Sequence, residues 1–253
     1  MSVWAMPEQP YKRPPITEAV IEMRFSDPID SVTLDKVSSA FKALYPQEEI
    51  LRHVQFQMNL DVTVPAPQTT GQIGYRRSSP DQTHILLLMP MPPSFIMSQL
   101  SPYPGWDQFF GRFCRDWDIW KKSVGYKKII RIGVRYINRI DIPSSDPIVY
   151  EEDFLNVYPR IPEVLGPMMQ YAVQAQLHIA DIGCDLTLNS SVVPSPLLGH
   201  RSFVIDQDIG KDNPPQNDDG IYNLLNQIRV TKNRVFEACI TDRARELFEP
   251  WLE

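Results

Sequence analysis

Residues 129–143 read IIRIGVRYINRIDIP, and this stretch constrains the fold more than any other. Side chains two apart share a face of a strand, so Arg131, Arg135 and Arg139 project from one side while apolar residues fill the other. At four-residue spacing, neighbouring guanidinium groups lie about 13 Å apart, which spans successive phosphates rather than clamping one. Such a face either binds an anion or is paired internally.

The rest of the chain repeats the alternation. ITEAVIEMRF, from Ile16, reads as a strand with Ala19, Ile21, Met23 and Phe25 inward. Next, Ser31 or Thr33 caps a helix with Leu34, Val37, Ala40, Phe41 and Leu44 on one face, stopped at Pro46. Alternation over 49–62, GQIGY from Gly71 and 83–89 gives three strands, with a turn at Ser78-Ser79-Pro80-Asp81. A helix over 106–122 gathers Trp106, Phe109, Phe110, Phe113, Trp117 and Trp120 on one side. That stripe is a buried face in preference to a platform for stacking bases.

Three more strands follow, over 168–179, 184–193 and 201–208. Asp218-Asp219-Gly220 then opens a last helix with Ile221, Leu224, Leu225, Ile228, Val235 and Cys239 inward and a break near Thr241. The fold class is α+β: antiparallel sheet with about three helices packed on one face, arranged as two helix-plus-meander halves without repeated residues. Proline stands at 24 against 11 glycines, which suits extended segments and stiff connectors. Residues 1–253 read as a single compact unit. The only candidate subdivision, into 14–142 and 168–253, falls at the proline-rich connector between them.

A 43% hydrophobic share is ample for a core, and 25 basic against 31 acidic residues give a net charge of −6. That balance argues against coating nucleic acid by bulk electrostatics and leaves room for a local basic patch. The amino terminus shows no secretory signal, and ILLLMPMPPSFIM is too short and too proline-broken to span a bilayer as a helix. Cys114, Cys184 and Cys239 are odd in number and far apart, as reduced thiols would be. The expectation is a soluble, cytoplasmic protein without membrane contact.

Three segments, PPITEAVIEMRF, RIGVRYINRIDIP and FEACITDRARELFE, together resemble a sporadically distributed family of bacterial and archaeal proteins of about this length, conserved and of unknown function. The resemblance spans nearly the whole chain and implies a stand-alone cytoplasmic protein. It transfers no catalytic residues. The scatter of such families is similar to that of mobile or antiviral accessory genes.

The window 119–140 holds Lys121, Lys122, Lys127, Lys128, Arg131, Arg135 and Arg139 with no Asp or Glu. One reading is a polyanion-binding groove with bidentate arginines and steering lysines. The other pairs Arg131 and Arg135 with Glu18 and Glu22 across neighbouring strands, while Lys121 and Lys122 complement the carboxyl end of a helix. Asn138 discriminates neither.

Elsewhere, His178, Asp181, Cys184 and Asp185 are metal-competent, but a strand and turn would scatter them, and no metal or other cofactor is assigned. DQDIGKDNPPQNDDG, from Asp206, has glycine at five and Asn217 at twelve, where a calcium loop needs glycine at six and glutamate at twelve. It reads as a solvated loop delivering Asp218 or Asp219 as a cap. His53, His84, His178 and His200 sit in no nucleophile arrangement, and no phosphate-binding glycine loop is present.

The expectation is a binding protein that engages a polyanion or a protein partner through its basic strand. The alternatives are a hydrolase or nuclease using His178, Asp181 and Asp185 or His200, with or without a metal, and an oligomeric scaffold joined at sheet edges.

Overall fold

The computed structural model describes residues 11–55, 69–144 and 149–249, without the side chains of 53–55, 69–71 and 163. In chain order the elements are β1 (Ile16–Phe25), α1 (Ser31–Ala40), β2 (Gln47–Gln55), β3 (Thr69–Ser78), β4 (His84–Pro90) and β5 (Pro93–Leu100). There follow α2 (Trp106–Val124), β6 (Ile129–Pro143), β7 (Ala172–Ile179), β8 (Cys184–Val193), β9 (His200–Asp212), α3 (Asp218–Cys239) and α4 (Asp242–Glu246). Nine strands form one antiparallel sheet in the order β2-β3-β4-β5-β1-β6-β9-β8-β7. The fold is α+β, with three main helices.

The order resolves into two meanders, β2-β3-β4-β5-β1 and β6-β9-β8-β7, that meet where β1 pairs with β6. Each meander is followed by a long helix, α2 or α3. Among the described residues the second half has no counterpart of α1. The connector before β7 runs there instead, with short 3-10 turns at Glu151–Asp153 and Glu163–Leu165.

Alternation decides which face is covered. Ala19, Ile21, Met23 and Phe25 of β1 are buried, as are Ile132, Val134, Tyr136, Ile140 and Ile142 of β6, and the helices pack on this side. Trp106, Phe109, Phe113, Trp117 and Trp120 of α2 are buried in the same core, with Phe110 at its rim. The Trp120 ring lies 5.2 Å from both Phe25 and Phe95. Side chains of this size contribute roughly 1.5–3 kcal/mol each on burial. A core role therefore accounts for the stripe, and base stacking on it does not.

Some details depart from the sequence reading. The apolar run from Ile85 holds a second strand that the sequence reading, with its one strand over 83–89, did not contain: the chain folds back at Pro90↔Pro93, so β4 and β5 are antiparallel neighbours. Proline is tolerated there because it sits at strand ends. In α1 the cap is Asp30, whose carboxylate accepts from the Thr33 amide at 2.8 Å. Ala40 is exposed, and Ser38 is buried instead, donating to Glu48 and accepting from Arg77. The α3 cap is Asn217, accepting from Gly220 N at 2.7 Å, which frees Asp218 to accept from Trp117 Nε1 at 2.9 Å and Lys121 Nζ at 2.5 Å. The alternation expected over 56–62 lies outside the described residues.

Polar contacts fasten α2 to α3 at both ends, through Asp218 at one and Trp106 Nε1 donating to Asn226 Oδ1 at 3.0 Å at the other, with Tyr222 edge-on to Phe110 and Phe113 between them. Where α1 and α2 meet, Asp116 is fully buried and accepts from Tyr45 Oη and from Arg115. Burial pushes the Asp116 carboxyl above the usual carboxylate range. The break near Thr241 is real: Thr241 caps α4 by accepting from Ala244 N.

Candidate functional site

The alternate residues of the sheet point away from the helices, and the described residues place no helix on that side. Registers fix its occupants. Arg131, Gly133, Arg135, Ile137 and Arg139 of β6 stand beside Glu18, Val20, Glu22 and Arg24 of β1, and beside Asp206, Asp208, Gly210 and Asp212 of β9. All three arginines do share one face.

They form a ladder with carboxylates. Arg131 Nη1 donates to Glu22 Oε2 at 2.9 Å, and Nη2 donates to both oxygens of Asp208 at 3.1 Å. Glu22 also accepts from Arg24 Nε at 2.8 Å. Arg135 meets Asp206 in a bidentate pair, Nε to Oδ1 and Nη2 to Oδ2, each at 2.7 Å, and Asn189 donates to the same carboxylate at 3.1 Å. Arg139 pairs with Asp141 of its own strand through Nε at 3.0 Å, and Ser202 completes that carboxylate at 2.5 Å. Fork-to-fork pairs of this kind fix guanidinium orientation as well as charge.

Two glycines make the ladder fit. Gly133 and Gly210 are directly paired, and a Cβ on Gly133 would meet Arg131 Nη1 at 2.3 Å, while one on Gly210 would meet Nη2 at 2.5 Å. The Arg131 side chain therefore lies flat over bare backbone, between Glu22 and Asp208. Any larger residue at either position would lift it.

Electrostatically the centre of this face is mixed, with an acidic excess. Across β1, β6 and β9 it carries Arg24, Arg131, Arg135 and Arg139 against Glu18, Glu22, Asp141, Asp206, Asp208 and Asp212, four cations to six carboxylates. Arg135 is the most open of the three β6 arginines: its side chain is 48% exposed, while that of Asp206 is 9% exposed. Hydrogen bonding to Asp206 holds the Arg135 charge more firmly than in water.

The four lysines of the basic window lie elsewhere. Lys121 is on α2, bound to Asp118 at 3.0 Å and Asp218 at 2.5 Å. Lys122 is exposed at the end of that helix, Lys127 reaches Pro28 O at 3.5 Å, and Lys128 is exposed just before β6. Glu22 takes Arg131 as cross-strand pairing anticipates, whereas Arg135 takes Asp206 and not Glu18. Asp206 and Asp208 are ladder members within β9, which runs to Asp212; the sequence reading of a loop from Asp206 is corrected because the alternation of β9 continues through Ile209 and Lys211. Their signal was available: both aspartates share the outward parity of β9.

The remaining candidates are dispersed. His178 Nδ1 and Asp185 Oδ1 are 2.7 Å apart at the exposed edge, Asp181 pairs with Arg234 of α3 at 3.0 Å, and His200 Nδ1 is 2.9 Å from Leu198 O. Cys184 and Cys239 are buried free thiols, pushed by burial to about 11 and about 12, and Cys114 is half-buried. Among the described residues no group of three His, Cys, Asp or Glu side chains could hold a metal ion. No helix in the described residues is long and apolar enough to cross a membrane.

No family model matches the sequence, and no curated protein matches it. Among solved structures, Methanococcus jannaschii TBP overlaps 87% of this chain and 97% of that chain at 11% identity with a TM-score of 0.28, too loose an overlap to carry a functional argument.

Proposed function

We propose that the protein is a binding module whose sheet face opposite the described helices, centred on β6, receives a protein partner. The observation that carries this reading is Arg135, half exposed yet held by two 2.7 Å hydrogen bonds to a nearly buried Asp206. A long flexible side chain normally loses rotamer freedom on binding, and this one has lost it beforehand. Asp206 takes one N–H from Nε and one from Nη2 of the five that a guanidinium carries, so donors remain for a partner. Arginines of this kind, fixed and centrally placed, dominate protein interfaces.

A protein is favoured over a polyanion because each of the three β6 arginines is matched by carboxylates, which would meet phosphates with like charge. A protein surface can offer both signs. The open apolar residues Val20, Ile96 and Ile137, half-buried on the same face, would supply the desolvated part of such an interface.

The decisive experiment is crosslinked capture from cell extract with wild type, Arg135→Ala, and the charge-swapped pair Arg135→Asp/Asp206→Arg, which keeps the internal ion pair. One protein retained by wild type and lost from both variants, each with wild-type circular dichroism, supports the reading. Labelled 20-mer DNA and RNA are titrated in parallel at several salt concentrations. Saturable binding that weakens with salt and with Arg135→Ala would transfer the site to a polyanion. Solution mass decides whether the protein instead joins a second copy of itself through the exposed β7 edge.

A further inference from the structure

On the covered side of the sheet lies a cavity of about 590 Å³ that the ladder does not use. It sits between α3, the segment 11–16, the lead-in to α2, and Asn138 and Gln207 of the sheet. Its volume falls within the range of small-molecule sites.

The floor is chemically out of place. Gln207 has inward parity, between Ile205 and Ile209, and opposite Tyr136. It is 1% exposed, and neither its Oε1 nor its Nε2 has a hydrogen-bond partner. An unpaired buried amide costs about 1–3 kcal/mol, which selection for stability alone would remove by placing leucine there. Beside it, Asn138 is also buried and donates to Ile205 O at 3.2 Å.

The walls are basic and aromatic. Arg229 and Lys232 of α3 and Lys12 of the leading segment line the cavity, as do Tyr103 and Trp106. Lys232 Nζ lies 3.9 Å from the Tyr136 ring centroid. Among the described residues the lining carries one carboxylate, Glu237, which is engaged by Tyr11 Oη at 2.7 Å and by Arg245 Nε at 2.8 Å. Burial holds the Tyr103 hydroxyl up to about 12, so it stays neutral, and its Oη lies 2.9 Å from Tyr136 Oη.

We infer that this cavity binds a small organic anion with a planar apolar body. Its carboxylate or phosphate lies toward Arg229 and Lys232, its ring lies against Tyr103 and Trp106, and a polar edge satisfies the Gln207 amide. The site is independent of the partner-binding face, because the two lie on opposite sides of the sheet.

The test uses 1-anilinonaphthalene-8-sulfonate as a fluorescent aromatic anion with the intact protein. Adenosine monophosphate and indole-3-acetate compete as phosphate and carboxylate arms, with adenosine as the uncharged control. The expected result is one saturable site, displaced by one of the two anions and not by adenosine. Lys232→Ala should raise the dissociation constant about tenfold, and Lys36→Ala, an exposed lysine on α1, should leave it unchanged. Gln207→Leu should also weaken binding about tenfold while raising the melting temperature of the free protein, a pairing that misfolding cannot produce. Unsaturable dye binding, displacement by neither anion, or wild-type affinity in Gln207→Leu would each overturn the assignment.

Discussion

Arg131 illustrates how a single residue depends on positions that never touch solvent chemistry. Its guanidinium reaches Glu22 and Asp208 only because two facing glycines leave the backbone bare beneath it. Gly210→Ala should therefore cost about 1–2 kcal/mol, the worth of displaced charge-assisted hydrogen bonds discounted for partial exposure. In an Arg131→Ala background the same change should cost a few tenths at most, because the group it displaces is gone. Urea denaturation of the four proteins in this cycle measures the coupling, and additive costs would disprove the slot. The period of two makes the arginine face legible in sequence. The slot was not, since Gly133 and Gly210 are 77 positions apart and meet only through strand register.

At the scale of elements, α2 combines an apolar stripe readable from spacing with a buried carboxylate that spacing does not reveal. Asp116 lies on the covered side and faces Tyr45 from the end of α1. Because burial raises its folded pKa above the ordinary carboxylate value of about 3.9, the native state retains a proton that the unfolded chain has already released. Stability contributed by this group therefore falls as pH rises from the unfolded value through the folded one, and the penalty is complete above it. Asp116→Asn should remove that limb. Urea midpoints for wild type and variant between pH 4 and 8 should diverge with rising pH, with the variant gaining; parallel curves would show that Asp116 is not strained by burial. The caps tell a similar story: Asp30 and Asn217 perform roles first assigned to close neighbours, because several cap-competent side chains stand side by side and only backbone geometry selects one.

Over the whole molecule, the two meanders share a sheet through β1 and β6, and their long helices are clasped by the contacts of Asp218 and Asn226. A core continuous across that junction couples the halves. Tryptophans 106, 117 and 120 report on the first half, while far-ultraviolet circular dichroism reports on both. Their thermal transitions should coincide, as expected of one cooperative unit, and separated midpoints would mark two independently folding parts. The same geometry sets the two candidate sites on opposite sides of one layer, so a ligand in the cavity would touch the backs of strands whose fronts meet the partner.

Most strand and helix identities, the buried aromatic stripe and the sidedness of Arg131, Arg135 and Arg139 were fixed locally, because periods of 2 and 3.6 are properties of a chain segment; β5, behind its run of prolines, was not. What those arginines meet was decided by the tertiary structure. Asp206 and Asp208 lie some seventy residues away in sequence and become neighbours only when β9 pairs with β6. Charge sign can be counted along a chain, but an electrostatic surface is a sum over distances in space, and folding is what sets those distances.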